Sequence, residues 1–320
     1  MAGEKMNRKP RPLGSSGSAE MNREPRQLGS SGSQKNKNLA IIALIYILAF
    51  VVGILCSYKI ENQVLKFLVF DVVATIVTYI FSVILKNSSV YDAYWSLTPM
   101  IMSVWLFAEN SAFSPMQILF LIVFNVWSLR LTLNWVEVFT DFSYEDWRYK
   151  KFRDESNRFL WPVINFWGIH MMPTVIVFLG MLPMFIIANT RIGILSIFGI
   201  IVMLFGICLE YFADEQMHSF LQSENVGQVC KLGLWRVSRH PNYLGEISFW
   251  FGVYLVMLPY AVPYWFLGVG ALSVFILFNV VSIPLMEKRQ LSRRPEYAQY
   301  KKETSRLFLM PVNESLYFFK

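Results

Sequence analysis

The sequence has few of the residues that build disulfide scaffolds, metal centres and soluble surfaces. Only three cysteines and three histidines occur among 320 residues, and they show neither a Cys-x-x-Cys pair nor the close spacing of zinc ligands. Charged residues make up 16% of the chain, against about 25% in a typical soluble domain. These shortages argue against a disulfide-stapled secreted domain, a metal site and a soluble catalytic domain.

In place of charge, the chain has long apolar runs. Hydrophobic residues make up 55% of the sequence, and runs near or above the roughly 18 residues that cross a bilayer recur along it. We therefore predict an all-α, polytopic transmembrane helix bundle of about eight spans. The predicted spans cover residues 39–58, 64–85, 92–108, 116–139, 160–188, 191–213, 244–258 and 264–286.

Composition divides the chain into four parts. Residues 1–38 hold an imperfect tandem repeat rich in glycine, serine, proline and basic residues, and we expect them to be disordered. Residues 39–89 contain the N-terminal spans, residues 90–311 form the main membrane domain, and residues 312–320 form a C-terminal tail.

The positions of the basic residues predict the orientation in the membrane. If the first 38 residues are cytosolic, 25 of the 29 lysines and arginines lie in cytosolic segments, and only Lys59 and Arg191 lie on the opposite side. Because cytosolic loops carry an excess of Lys and Arg, this asymmetry predicts an even number of spans and two cytosolic termini. The net charge of +7 then reflects the cytosolic face. We expect no nucleic-acid partner, because the chain has no nucleic-acid-binding motif.

Two groups of polar residues lie within or at the start of predicted spans. Arg130, Asn134 and Glu137 are spaced i, i+4 and i+7, so they share one face of the fourth span. A charge at membrane depth normally faces the bundle interior or a wet cavity. This face therefore either ties helices together through an Arg–Glu pair or lines a cavity for a cofactor or substrate. Asp92 and Tyr94 stand at the start of the third span, where tyrosine is a common anchor but a carboxylate needs a partner.

The densest polar cluster is WRVSRHPNYLGE (235–246), where the chain re-enters the membrane. Its proline favours a helix that starts at that position, which puts Asn242 and Glu246 on one face of the first turns. Arg236 and Arg239, just before the proline, place guanidinium groups beside free backbone N–H groups, which is the chemistry of an anion site. The cluster predicts a site for a phosphate-bearing cofactor; the alternative is that the arginines bind lipid headgroups.

Two flanking segments add polar groups on the same side. Glu210, Asp214 and His218 are spaced i, i+4 and i+8 near the end of the sixth span. Residues 283–311 follow the last span with a dense charged cluster that begins at Glu287. We expect this segment to fold over the same cytosolic mouth.

These motifs carry a family resemblance. GLWRVSRHPNYLGEI (233–247) and IPLMEKRQLSRRPEYAQYKKETS (283–305), together with EDWRY (145–149), resemble the steroid 5-alpha-reductase-like family of integral membrane proteins, and most closely its uncharacterised branch. The resemblance implies a cytosol-facing NADPH pocket and hydride transfer to a carbon–carbon double bond of a lipid or steroid-like substrate. In a eukaryote it implies an enzyme of the endoplasmic reticulum membrane.

The resemblance also implies roles for single residues. Asn242 and Glu246 match the family's Asn-x-x-Gly-Glu pattern near the cofactor, and Asp214 matches an acidic position after the sixth span. The family's steroid reductases polarise the substrate carbonyl with a Glu–Tyr pair from early spans. No such pair aligns here, so we predict that its nearest chemical substitutes, Asp92 and Tyr94, are catalytic. The predicted cofactor-binding residues are Arg130, Asn134, Asp214, Arg236, Arg239, His240, Asn242, Tyr243, Glu246 and Glu287.

Two other functions compete with the reductase. The Arg-His-Pro-x-Tyr-x-Gly core also resembles isoprenylcysteine carboxyl methyltransferases and phospholipid N-methyltransferases, which bind S-adenosylmethionine at the same face. Glu287 is followed by Lys288 where those enzymes typically carry a Glu pair, and this departure, with Asn242 and Glu246, favours the reductase. The third possibility is a non-enzymatic lipid-binding membrane protein that keeps the fold. The oligomeric state is not predicted.

Overall fold

The computed structural model describes residues 32–109, 113–223 and 227–310, and these ranges are helical with no β-strand. Two of the long helices contain a π-helical segment, Ile164–Met171 and Leu277–Ser282. The helices are α1 (Gly32–Ser57), α2 (Gln63–Ile84), α3 (Tyr94–Ala108), α4 (Pro115–Val138), α5 (Trp147–Glu155), α6 (Leu160–Asn189), α7 (Ile197–Leu221), α8 (Leu234–Val237), α9 (Pro241–Met257), α10 (Val262–Arg293) and α11 (Tyr297–Glu303).

Within these ranges, six helices are long and apolar enough to cross a membrane: α1, α2, α4, α6, α10, and α7 together with the 3₁₀ turn before it. The chain is therefore a multi-pass membrane protein, and the prediction of an all-α membrane fold is confirmed over the described residues. α3, with 15 residues, and α9, with 17, also coincide with predicted spans but are shorter than the other six.

The N-terminal boundary differs from the prediction. α1 begins at Gly32, so the last residues assigned to the tail are helical. Lys35 Nζ donates a hydrogen bond of 3.0 Å to the carbonyl oxygen of Glu137, which fixes the start of α1 beside the end of α4. Most of the predicted tail, residues 1–31, and the predicted C-terminal tail, residues 312–320, lie outside the described residues.

Both π-helical segments stand directly before a proline. Ile164–Met171 precedes Pro173 in α6, and Leu277–Ser282 precedes Pro284 in α10. Proline has no N–H to donate, and its ring clashes with the carbonyl group one turn earlier, so the helix widens there. The two prolines therefore account for the π-helical distortions of α6 and α10.

Glycines bring α7 and α9 into backbone contact. Gly199 and Gly206 on α7, and Gly245 and Gly252 on α9, repeat every seven residues and face each other. A Cβ atom added at Gly206 would lie 2.5 Å from the carbonyl oxygen of Gly245. Small residues allow this approach in membranes, where packing and not water drives helices together. The pair of helices carries three buried acidic side chains, those of Glu210, Asp214 and Glu246.

Candidate functional site

A cavity of about 280 Å³ lies where one end of each of several helices converges. The start of α9, the ends of α4 and α7, the middle of α6, the part of α10 from Val274 to Met286, and the segments before α3 and around α5 contribute to its wall. One side is apolar, with Ile176, Val177, Val274 and Leu277. The ionisable lining residues are Tyr91, Asp92, Arg130, Tyr144, Asp146, Arg148, Tyr149, Glu210, Asp214, Tyr243 and Glu246.

Arg130 connects α4 to α7 at this wall. Its guanidinium group lies 3.2 Å from Asp214 Oδ2 and contacts the carboxylate of Glu210. Asn134, one turn further along α4, donates to the same Asp214 oxygen at 3.4 Å. The sequence left a helix-tying pair and a cavity lining as alternatives, and Arg130 does both. Asn134 supports Asp214 from behind and is not among the lining residues.

Glu246 is held by two tryptophans. Its Oε2 accepts a bond of 3.0 Å from the indole of Trp127, and its Oε1 accepts one of 2.9 Å from the indole of Trp250. Because α9 begins at its proline, Asn242, Tyr243 and Glu246 all lie in its first turns and line the cavity. The predicted clustering of these residues is present in the fold, while their role in binding a cofactor stays a prediction.

Asp92 forms a hydrogen-bonded pair with Tyr149. It lies between α2 and α3, lines the cavity, and its Oδ1 accepts a bond of 2.8 Å from the Tyr149 hydroxyl. Burial raises the pKa of Asp92 to about 7; the nearby charge of Asp146 adds to this rise, whereas the bond from Tyr149 and the charge of Arg148 lower it. A carboxyl group with a pKa near 7 is suited to exchange a proton at neutral pH.

Tyr94 is bonded elsewhere. Its hydroxyl group donates to Asp71 Oδ1 at 2.9 Å, and neither residue is among those that line the cavity. The predicted pairing of Asp92 with Tyr94 is therefore replaced by two separate acid–tyrosine pairs. Asp71 on α2 and Tyr94 on α3 form a buried acid–tyrosine pair from early spans, which the sequence alone did not align because the aspartate and tyrosine are 23 residues apart.

Three of the predicted cofactor ligands bind one another instead of lining the cavity. Arg239 Nε lies 2.8 Å from Glu287 Oε1, and His240 Nε2 lies 3.4 Å from the same oxygen. The Arg239 guanidinium group also donates to the carbonyl oxygens of Lys301 and Thr304. These bonds join the start of α9 to α10 and α11. The guanidinium group of Arg239 therefore forms a structural clasp with Glu287 and the end of α11, and its predicted role at an anion site stays a prediction.

Arg236 also lies away from the cavity. It is exposed on α8 and is not among the lining residues. Of the two arginines predicted to hold a phosphate beside α9, Arg239 is paired with Glu287 and Arg236 is exposed.

Replacing Arg239 with methionine is expected to lower the free energy of unfolding by about 3 kcal/mol, because Glu287 loses a buried charge partner. Thermal unfolding of the detergent-purified protein measures this change. Arg236→Met, three residues away and exposed, serves as the control and should change the unfolding temperature little. A normal unfolding temperature in Arg239→Met, with lost cofactor binding, would restore the anion-site assignment.

The segment around α5 supplies cavity residues that sequence reasoning did not select. Asp146 caps α5 by accepting from the Arg148 backbone at 2.8 Å, and it pairs with the Arg148 side chain at 2.8 Å. Asn87 and Ser89, which lie just before α3, hold this segment down through bonds to Tyr144 and Asp146. The EDWRY motif (145–149) was the available signal, but it contributed only to the family resemblance and no site residue was selected from it.

The chain matches the family model described as "Protein of unknown function (DUF1295)" over residues 78–304. The chain belongs to this family. DUF1295 is a steroid 5-alpha-reductase-like family of membrane proteins, so the resemblance found in the sequence is confirmed at that level.

The matched residues of DUF1295 include every ionisable residue of the cavity and leave out most of α1 and α2. The chain is also similar to an uncharacterized protein of Schizosaccharomyces pombe, with 26% identity over 297 aligned residues that cover 81% of this chain and 79% of that protein. No solved structure matches the chain significantly. In the described part of the chain, no group of three or more His, Cys, Asp or Glu residues is arranged to hold a metal ion.

Proposed function

We propose that this DUF1295 protein is an NADPH-dependent reductase of a carbon–carbon double bond in a membrane lipid or steroid-like substrate. We place it in the uncharacterised branch of the steroid 5-alpha-reductase-like proteins and, in a eukaryote, in the endoplasmic reticulum membrane. The observation that carries the proposal is the Asp92–Tyr149 pair. It puts a carboxyl group with a pKa of about 7 in a cavity that is apolar on one side, and such a group is suited to donate a proton at neutral pH.

The proposed topology has eight spans and two cytosolic termini. α3 and α9 are the two short spans, and both have their first residues at the cavity end of the bundle. The contact between Lys35 and Glu137 puts the start of α1 at that end as well. Since 25 of the 29 basic residues lie in segments assigned to this side, the positive-inside rule supports a cytosolic cavity mouth.

The residues present suit the ring and ribose end of a dinucleotide. Asp214, Asn242 and Glu246 bring carboxylate and amide oxygens to one wall, and these accept hydrogen bonds from hydroxyl and carboxamide groups. Tyr243 stacks on Phe278 with ring centroids 4.5 Å apart, and both line the cavity, so a flat ring finds aromatic neighbours. When bound, the dinucleotide supplies the hydride.

The chain's own part is to bind, orient and protonate. The apolar wall from α6 and α10 holds the alkene in a dry environment, where each electrostatic contact is stronger than in water. As one alkene carbon accepts the hydride, Asp92 gives its proton to the other, and the Tyr149 hydroxyl keeps the carboxyl group oriented. Water at the mouth then returns a proton to Asp92. The Asp71–Tyr94 pair matches in chemistry the acid–tyrosine pair of the family's steroid reductases, and we propose that it orients the substrate wall from behind Tyr91.

Ligand-dependent unfolding tests this proposal. NADPH at about 100 times its dissociation constant should stabilise the detergent-purified chain by about 2.7 kcal/mol, and NADH or S-adenosylmethionine should stabilise it less. Asp214→Asn should lose the NADPH effect, whereas Asp154→Asn, an exposed carboxylate on α5, should keep it. Stabilisation by S-adenosylmethionine and not by NADPH would contradict the proposal.

The second candidate is a methyltransferase of a lipid or prenylated substrate that uses S-adenosylmethionine. One observation favours it: carboxylates outnumber guanidinium groups on the cavity wall, which complements a sulfonium cation. The same ligand comparison separates the two candidates.

A further inference from the structure

The cavity wall has an excess of negative charge. Five carboxylate side chains line it against two guanidinium groups. Within the described residues, both guanidinium groups already contact carboxylates: Arg130 lies 3.2 Å from Asp214, and Arg148 lies 2.8 Å from Asp146. The five carboxylates are those of Asp92, Asp146, Glu210, Asp214 and Glu246.

An unsatisfied acceptor points to a ligand at this wall. Glu210 is buried with 2% of its surface exposed and lines the cavity. Its Oε2 contacts Arg130, whereas its Oε1 makes no hydrogen bond in the described part of the chain. A buried acceptor atom without a partner is destabilising, so a positively charged or hydrogen-bonding ligand at Oε1 would stabilise it.

Aromatic rings surround the carboxylates. The indole of Trp250 both lines the cavity and donates to Glu246 at 2.9 Å, and the rings of Trp135 and Phe139 stack with centroids 4.9 Å apart. Ring faces attract cations, and such cages bind quaternary ammonium groups. Further aromatic residues that line the cavity include Trp95, Trp135, Phe139, Tyr243 and Phe278.

We infer that this cavity selects an organic cation, a quaternary ammonium, sulfonium or oxidised pyridinium group, over a neutral group of the same shape. Charges a few ångströms apart interact more strongly at a partly dry site than in water, so the presence or absence of one positive charge on the ligand governs its affinity. Two sources share this chemistry: the oxidised ring of a nicotinamide dinucleotide and the sulfonium of S-adenosylmethionine. The inference rests on the cavity wall and holds whichever source is used.

Choline and 3,3-dimethylbutan-1-ol test the inference, because the alcohol replaces the nitrogen of choline with carbon and removes only the charge. Calorimetric titration of the full chain in detergent should give choline an affinity at least about tenfold above that of the alcohol. Equal affinities for the two probes would overturn the inference, even if NADPH binds.

Carboxylate variants locate the effect. In titrations above pH 8, where the Asp92 carboxyl group is ionised, Asp92→Asn and Glu246→Gln should each weaken choline binding about tenfold, because each removes one nearby negative charge. Glu155→Gln, an exposed carboxylate on α5, is the matched control and should bind choline as the wild type does. Should Glu246→Gln fail to fold, Asp92→Asn carries the test, since its amide oxygen still accepts from Tyr149. Unchanged choline affinity in folded Asp92→Asn and Glu246→Gln would overturn the assignment of cation binding to this cavity.

Two ligand pairs then separate the sources. NADP⁺ and NADPH differ by the ring charge, and S-adenosylmethionine and S-adenosylhomocysteine differ by the sulfonium charge. Preference for NADP⁺ over NADPH supports the inference together with the reductase. Preference for S-adenosylmethionine, with no binding of either dinucleotide, supports the inference and contradicts the proposed reductase. Absence of a preference for the cation in both pairs overturns the inference.

Discussion

Replacing Asp92 with asparagine is expected to lower the turnover number of double-bond reduction by about 10²- to 10⁴-fold, the usual contribution of a general acid. The asparagine keeps the oxygen that accepts from Tyr149 but has no carboxyl proton to donate. Steady-state rates with saturating NADPH measure the effect. Asp154→Asn, an exposed carboxylate on α5, controls for the loss of one charge and should keep the wild-type rate.

The pH dependence of the same reaction has a definite sign. Asp92 must carry its proton to donate it, and its pKa is about 7 because burial and the charge of Asp146 raise it. The wild-type rate should therefore be high below pH 7 and fall about tenfold per unit well above it. Tyr149→Phe removes the hydrogen bond that lowers this pKa, so in this variant the fall in rate with rising pH (the falling limb of the pH–rate profile) should begin at higher pH. An Asp92→Asn variant with the wild-type rate and the wild-type falling limb would remove Asp92 from the mechanism.

Alanine at Gly206 is expected to destabilise the fold, whereas alanine at Gly168 is expected to leave it unchanged or more stable. A Cβ atom at Gly206 would lie 2.5 Å from the carbonyl oxygen of Gly245 and 2.8 Å from the backbone nitrogen of Phe249. These backbone atoms cannot rotate away, so α7 and α9 must separate, at a cost of about 1–3 kcal/mol. Thermal unfolding in detergent measures the change.

Gly168 in α6 is the matched control. Its added Cβ atom would meet nothing closer than a side-chain carbon of Ile164 at 3.8 Å, so only the preference of helices for alanine over glycine remains. Gly252→Ala should behave like Gly206→Ala, because its Cβ atom would lie 2.6 Å from the backbone nitrogen of Met203. Equal unfolding temperatures for the Gly168 and Gly206 variants would contradict the close contact of α7 and α9.

The membrane fold could be predicted because each span is recognised from the hydropathy of its own residues, without knowledge of how the helices pack. Each predicted span coincides with a helix, and the boundary errors lie at helix ends such as Gly32, where polar residues continue an apolar helix. Helical spacing also placed Asn242 and Glu246 on one wall, since the proline before them fixes where α9 starts.

The clasp and the α5 residues were not predictable in the same way. The sequence shows only that Arg239 lies beside a predicted helix start. The fold brings Glu287, 48 residues later, into contact with it. Tyr149 reaches Asp92 across 57 residues because Asn87 and Ser89 hold the intervening segment in place. Such pairings depend on how the helices pack, which periodicity within one helix does not specify.

The central claim is that this cavity supports hydride transfer from NADPH to a membrane-dissolved double bond. It is tested most directly by incubating the purified chain with membrane lipid extract and NADPH deuterated at both C4 positions, followed by mass spectrometry of the lipids. The account predicts a lipid product that has gained one deuterium and one solvent proton, and that is absent with Asp92→Asn. Lipids without deuterium, from protein that transfers a labelled methyl group from S-adenosylmethionine, would contradict it.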